Sequence, residues 1–141
     1  MNTRSPKLAH LGVAVPSLEA GLKLYRDLLG FAVDFEEEVP SERVRVVGLI
    51  AGDAHVELLE PTTQDSPIAK FLEKKGPGLH HVAVEVKGLA LLLPKLKAAG
   101  VMLLDDVPRK GAHGTQVAFI HPKGALGVLV ELVEKSEKPS P

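Results

Sequence analysis

The segment "GLHHVAVEV", residues 78–86, places two histidines at the start of an alternating run of valines. Alternation of this kind predicts a β-strand, with His81, Ala83 and Glu85 on one face and Val82, Val84 and Val86 on the other. A second stretch, "HLGVAV" at residues 10–15, has the same order: histidine, aliphatic, small, valine, variable, valine. It likewise separates His10, Gly12 and Ala14 from Leu11, Val13 and Val15. In both copies small residues follow the histidine on its own face, which leaves space beside the imidazole. The aliphatic faces need another element packed over them.

A cover follows each strand. "SLEAGLKLYRDLLG", Ser17 to Gly30, predicts a helix with Leu18, Leu22, Tyr25 and Leu29 in one stripe, Ser17 as N-cap and Gly30 in the left-handed position past the end. "LALLLPKLKAAG", Leu89 to Gly100, predicts a second helix. Pro94 removes one backbone donor, so it is expected in the first turn or at a kink. Each helix is followed by strand-like stretches: "FAVDFEEEV", "VRVVGLIAG" and "HVELLEP", then "VMLLDDV", "TQVAFIHP" and "GVLVELVE". Turn signals separate them.

The pattern β-α-β-β-β is therefore written twice. The histidines lie 71 residues apart, and Glu57 and Glu131, on the closing strands, lie 74 apart. One duplication accounts for both. The predicted fold is α+β, with paired βαβββ modules forming a curved, partly closed β-sheet around a metal site. Residues 1–135 read as one domain, with repeat 1 at about 7–60, a linker at 61–77 and repeat 2 at about 78–134. A short helix is expected around "SPIAKFLEKK", and the polar, proline-rich residues 136–141 read as a disordered tail.

Taken singly, a histidine at a strand start or a glutamate in an apolar strand has an ordinary surface explanation. Recurrence at matching repeat positions argues otherwise. Two neutral imidazoles and two carboxylates form an N₂O₂ donor set suited to Co²⁺, Ni²⁺, Zn²⁺, Mn²⁺ or Fe²⁺. Burying two carboxylates in a small-residue cavity would cost several kcal/mol each without a cation beside them. His10, Glu57, His81 and Glu131 are thus the candidate ligands. His80 is expected to point away from His81 and to make a structural hydrogen bond. His55 and Glu60 read as surface residues.

Composition narrows the function classes. Seventeen basic and eighteen acidic side chains give a net charge of −1, so no global field draws the protein to nucleic acid or an anionic membrane. There is no cysteine, no run of 18 apolar residues and no charged-then-apolar leader, which predicts a cytoplasmic protein.

These segments, with "VELLEP", "DSPIAKFL", "GAHG" and "HPKGALGVLVELVE", resemble the vicinal oxygen chelate (glyoxalase/bleomycin resistance/dioxygenase) superfamily over residues 7–134. Within it the chain resembles the methylmalonyl-coenzyme A epimerase family. "DSPIAKFL" and "HPK…GVLVEL" discriminate, because the histidine-glutamate skeleton alone also fits glyoxalase I. The resemblance implies one divalent metal ion per chain, cobalt before nickel, zinc or manganese, on His10, Glu57, His81 and Glu131. It also implies an acyl-CoA substrate, a homodimer, and interconversion of (R)- and (S)-methylmalonyl-CoA by removal and return of the α-proton.

By the same resemblance Glu131 moves a proton as well as binding metal. Its partner is open. Some members carry a second carboxylate at the position matching Val46, and a valine moves no proton. Ser41 to Arg43 stand where the family often has Glu-Gln-Gly, which brings in Glu42, otherwise an exposed turn residue; a metal-bound water is a further candidate. Candidate substrate contacts are Lys123, His113, Gly114 and His121, the last equally readable as a structural turn residue. Arg109 and Lys110 join Lys123 as candidates for the CoA phosphates. The competing functions are a glyoxalase I-like lactoylglutathione lyase and a metal-free small-molecule binding protein of the same fold.

Overall fold

The computed structural model describes residues 6–135, so the expected tail at 136–141 lies outside the described residues. The described chain divides into two compact units, residues 10–81 and residues 6–9 with 82–135. Both boundaries fall inside strands.

In the first unit β1 (Lys7–Ala14) leads to α1 (Leu18–Leu22), β2 (Val33–Val39), β3 (Val44–Ala51), β4 (Ala54–Pro61) and α2 (Pro67–Lys75). The strand order is β2-β3-β4-β1, with β1 parallel to β4 and the other pairs antiparallel. In the second, β5 (Gly78–Glu85) leads to α3 (Leu89–Ala98), β6 (Arg109–Lys110), β7 (Gln116–Ile120) and β8 (Val130–Glu134). Its order is β5-β8-β7-β6, with β5 parallel to β8. In each unit the first strand pairs in parallel with the last. These are the two βαβββ modules expected from the sequence.

Each helix packs on residues of the aliphatic face before it, Val13 and Val15 in the first unit and Val86 in the second. Leu18 of α1 packs into a core of Val15, Val47, Leu49 and Leu58, with Val13, Tyr25 and Phe31 around it. Leu89 and Leu93 of α3 pack on Ala118 and Leu132, with Val86 and Val130 alongside. Short helices suffice because burial against the sheet, rather than helix propensity, stabilises them.

Two elements differ from expectation. The first helix keeps α-helical form only through Leu22 and continues as a π-helical turn, Lys23–Leu28. The Leu29 amide donates to the Leu24 carbonyl, five residues back. The wider turn rotates Leu29 off the stripe, leaving it 58% exposed. Phe31 takes its place, packing on Tyr25 with ring centroids 5.9 Å apart. Gly30 does sit in the left-handed region, at φ 87°.

Pro94 lies inside α3, past its first turn, within a helix that continues to Ala98. The stretch "VMLLDDV" forms no strand: Leu103 makes one isolated bridge to Ile120. The reason lies in Asp105, whose carboxylate accepts from the Phe119 amide (2.8 Å) and the Arg109 side chain (2.9 Å). A side chain there takes over one of the β7 donors that a ladder would have used.

Glu60, read from sequence as a surface residue, instead accepts a hydrogen bond from the Leu18 amide at 2.7 Å. It therefore caps α1 together with Ser17, whose hydroxyl accepts from the Ala20 amide. Glu134 repeats the device: its two carboxylate oxygens accept from the Gly88 and Leu89 amides at 2.8 and 2.9 Å. Both acids satisfy orphan amides at the positive end of a helix. Glu60→Ala and Glu134→Ala are each expected to lower unfolding stability by about 1–2 kcal/mol, read from urea denaturation midpoints.

Candidate metal centre

The site is built on the strand faces opposite the helices. In the first unit the register sets Gly12 opposite Glu57, with Gly48 on the other side of Glu57. His10 and His55 lie opposite each other one step earlier. His55 therefore shares the face of Glu57, where it remains partly exposed. It is half-buried and bonded to Asp34 at 2.8 Å.

His10 and His81 approach Nε2 to Nε2 at 3.0 Å, with their rings edge to face. Both are buried. Each turns its other nitrogen to a separate partner. His10 Nδ1 lies 3.2 Å from Glu57 Oε2, and His81 Nδ1 lies 2.9 Å from His80 Nδ1. His80 thus faces His81 instead of pointing away from it, although the hydrogen-bonding role expected of it stands.

The approach depends on glycine. A Cβ on Gly12 would overlap the His81 ring, so the small residue after His10 is a steric requirement of the pair. Gly48 gives way to the Phe35 ring in the same manner.

Glu131 lies buried on β8 in the second unit, opposite Ala83 of β5. Ala83 is two residues beyond His81 on one strand and is fully buried. Parallel partners present side chains on a common face, so Glu131 leaves its strand on the face that carries Ala83. The first unit has the same relation, with Gly12 opposite Glu57 two residues beyond His10. A carboxylate so placed is stable as the anion only with donors or a cation beside it.

The donor chemistry fits a divalent ion. His10 and His81 are buried in the first unit and Glu131 in the second, and each side chain carries an atom able to bind a metal ion. The 3.0 Å approach of the two Nε2 atoms is accounted for by one shared hydrogen or by a divalent ion that both nitrogens would bind.

The other sequence candidates fall around the modules. Glu42 ends a 3₁₀ turn, Pro40–Glu42, between β2 and β3. It is half-buried, with Oε2 fully so, rather than exposed. Arg43 follows it in the left-handed region at φ 54°, where the resembling family often has glycine. Its guanidinium is fixed to Asp65, at 3.1 Å to the carbonyl and 3.5 Å to the carboxylate. Asp65 is held below the usual carboxylate range, first by the Thr63 hydroxyl and then by Arg43. Val46 is buried, and its cross-strand partner is Glu37.

His113 sits at φ 58° in a 3₁₀ turn, Ala112–Gly114, and is exposed, as is Gly114. His121 Nδ1 accepts from the Lys123 amide at 3.0 Å within the turn. Lys123 is exposed. Arg109 is engaged with Asp105 and lies over the Phe119 ring, while Lys110 is exposed. The sequence signal missed for Glu60 and Glu134 was their common three-residue spacing after Glu57 and Glu131.

Comparison with known proteins agrees with this architecture. Residues 9–119 match the model of the Glyoxalase/Bleomycin resistance protein/Dioxygenase superfamily, and the chain belongs to that family. It is 44% identical to the mitochondrial methylmalonyl-CoA epimerase of Mus musculus, over 89% of this chain and 71% of that protein. It is 41% identical to the ethylmalonyl-CoA/methylmalonyl-CoA epimerase of Cereibacter sphaeroides, over 89% and 96%. A solved structure of a single-residue variant of the Streptomyces coelicolor methylmalonyl-CoA epimerase in complex with 2-nitronate-propionyl-CoA superposes with a TM-score of 0.89 at 35% identity, covering 96% of this chain and 98% of that one.

Gly12→Ala is expected to keep the fold, by circular dichroism, while displacing the His81 imidazole. Affinity for Co²⁺ or Zn²⁺, measured by titration calorimetry, should fall by about 10–100-fold or more.

Proposed function

We propose that this chain is a metal-dependent epimerase that interconverts (R)- and (S)-methylmalonyl-CoA. The single observation that carries the reading is the pair of imidazoles turned Nε2 to Nε2 at 3.0 Å, each with Nδ1 against a partner. The relatives supply the reaction: two curated proteins above 40% identity are methylmalonyl-CoA epimerases by name. The Streptomyces protein binds a nitronate of propionyl-CoA. A nitronate is a planar anion with charge on two oxygens, shaped like the enolate that α-proton removal creates.

The proposed donors are His10, His81 and Glu131; Glu57, the fourth donor expected from the sequence, lies instead against His10 Nδ1, where its carboxylate orients the ring. One divalent ion per chain is proposed, with Co²⁺ ahead of Ni²⁺, Zn²⁺ and Mn²⁺. Such an ion supplies Lewis-acid stabilisation of negative charge on the substrate oxygens, worth several kcal/mol.

The chain's own groups then move the proton. Glu131 takes the α-hydrogen from one face, and the C–H electron pair passes into the enolate. A second acid returns a proton to the opposite face, which inverts the centre. That second acid is proposed to be Glu42, half-buried at the β2–β3 turn. Lys123, His113 and Gly114 are proposed to border the CoA portion. The homodimer and the cytoplasmic setting are proposed with the same reading. Among the described residues no helix is long and apolar enough to cross a membrane.

Metal-replete protein should epimerise methylmalonyl-CoA and wash deuterium into its α position from heavy water. Chelation should abolish both. Turnover of a methylglyoxal-glutathione adduct instead would assign the lyase function, and a protein that binds small molecules with no ion and no turnover would be a binding protein. Glu131→Ala should lose activity, and His81→Ala should lose it chiefly through lost metal.

The two acids separate by exchange pattern. Glu42→Gln should lower epimerisation by about 10²–10⁴-fold with metal affinity unchanged, while one epimer still exchanges its α-proton without inverting. If Glu37→Gln shows that pattern and Glu42→Gln does not, the second acid is the carboxylate opposite Val46.

A further inference from the structure

His80 stands beside a proposed ligand and has no part in the proton transfers above. Its Nδ1 lies 2.9 Å from His81 Nδ1, and one of these two nitrogens must carry the hydrogen between them. Ligation by His81 through Nε2 requires a lone pair there, so its hydrogen belongs on Nδ1. His80 must then accept at Nδ1 and carry its own hydrogen on Nε2.

The His80 ring is itself held. Phe71 of α2 packs edge to face on it, with centroids 5.0 Å apart and planes at 82°, and Lys75 Nζ lies 5.9 Å from the Phe71 ring centre. The linker helix therefore carries a support for the histidine pair. On the other side Glu57 stands in the same relation to His10 Nδ1. A carboxylate serves one imidazole, and a second imidazole serves the other.

We propose that His80 is a positioning residue for the metal site: it accepts the Nδ1 hydrogen of His81, fixes the tautomer that leaves Nε2 open for ligation, and is held in place by Phe71 of the linker helix. This rests on the metal reading above. A ligating imidazole whose second nitrogen lacks an acceptor spreads over two tautomers and more than one ring orientation, and mutation of such partners costs about 10–100-fold in metal affinity.

The variants follow from the chemistry. His80→Phe keeps a ring against Phe71 and removes the acceptor. His80→Asn removes the ring and restores an acceptor oxygen near the position of Nδ1. Nitrogen-15 NMR of the imidazoles in chelated protein reads the tautomer of His81, and calorimetric titration with Zn²⁺ reads affinity.

In wild type, His81 should be the Nδ1–H tautomer. His80→Phe should give a tautomer mixture and about 10–100-fold weaker Zn²⁺ binding, with KM for substrate at saturating metal unchanged. His80→Asn should recover most of both. Phe71→Leu should show a smaller loss in the same direction. A wild-type His81 carrying its hydrogen on Nε2 would overturn the proposal, as would His80→Phe with unaltered tautomer and affinity. The wild-type spectrum decides even if His80→Phe does not fold. A wild type that takes up no divalent ion would overturn the metal reading, and the tautomer measurement would still judge the hydrogen bond.

Discussion

The approach of two imidazoles to 3.0 Å, Nε2 to Nε2, is the constraint around which the rest of the first unit is arranged. Two neutral rings in that orientation either share one hydrogen or point both lone pairs at a common cation. With Nδ1 of each ring occupied by a hydrogen-bond partner, the second arrangement costs no proton rearrangement. It does cost space, and glycine at position 12 provides it. The small residue after the first histidine, conspicuous in the repeated motif, is thus explained by the ring of the second.

Strand alternation lets one short segment serve both the site and the helix. Glu57 and Glu60 are three residues apart on β4, an odd spacing that sends their side chains to opposite faces. The first lies against His10 and the second accepts from the N-terminal amide of α1. On β8, Glu131 and Glu134 stand at the same spacing, with Glu134 on the amides that open α3. Each module thereby ties its helix to the strand that presents its acid. A duplicated sequence keeps this coupling in both halves because the spacing is inherited with the strand.

The features legible in the sequence were those that depend on period and repetition. Alternation placed the histidines and assigned the helix-facing valines, and the duplication paired Glu57 with Glu131. What escaped was set by single hydrogen bonds. Nothing in "LYRDLLG" marks the wider turn that moves Leu29 out and Phe31 in. "VMLLDDV" has strand composition, but Asp105 takes the Phe119 amide with its side chain. His55 shares the parity of Glu57 yet stays partly exposed, with its ring on Asp34. His80 was misjudged because alternation describes where Cβ atoms leave a strand, whereas adjacent imidazoles can fold back far enough to meet at Nδ1.

The linker, residues 61–77, bonds to the β2–β3 turn at one point and packs on His80 at another. Through Asp65 it fixes Arg43, whose left-handed backbone costs roughly 1–2 kcal/mol relative to a residue without a Cβ. A non-glycine residue persists in that conformation only when its surroundings over-determine it. The guanidinium bonds to Asp65 and the Thr62 amide on the Arg43 carbonyl supply that determination. The turn so fixed carries Glu42. Through Phe71 the same linker packs on His80, and so on the nitrogen of His81 that does not face His10. A connector needed only for reach would have no use for a strained arginine at one end and an aromatic clamp at the other. Both make sense if the acid at the β2–β3 turn and the tautomer of the second histidine must be held to one geometry.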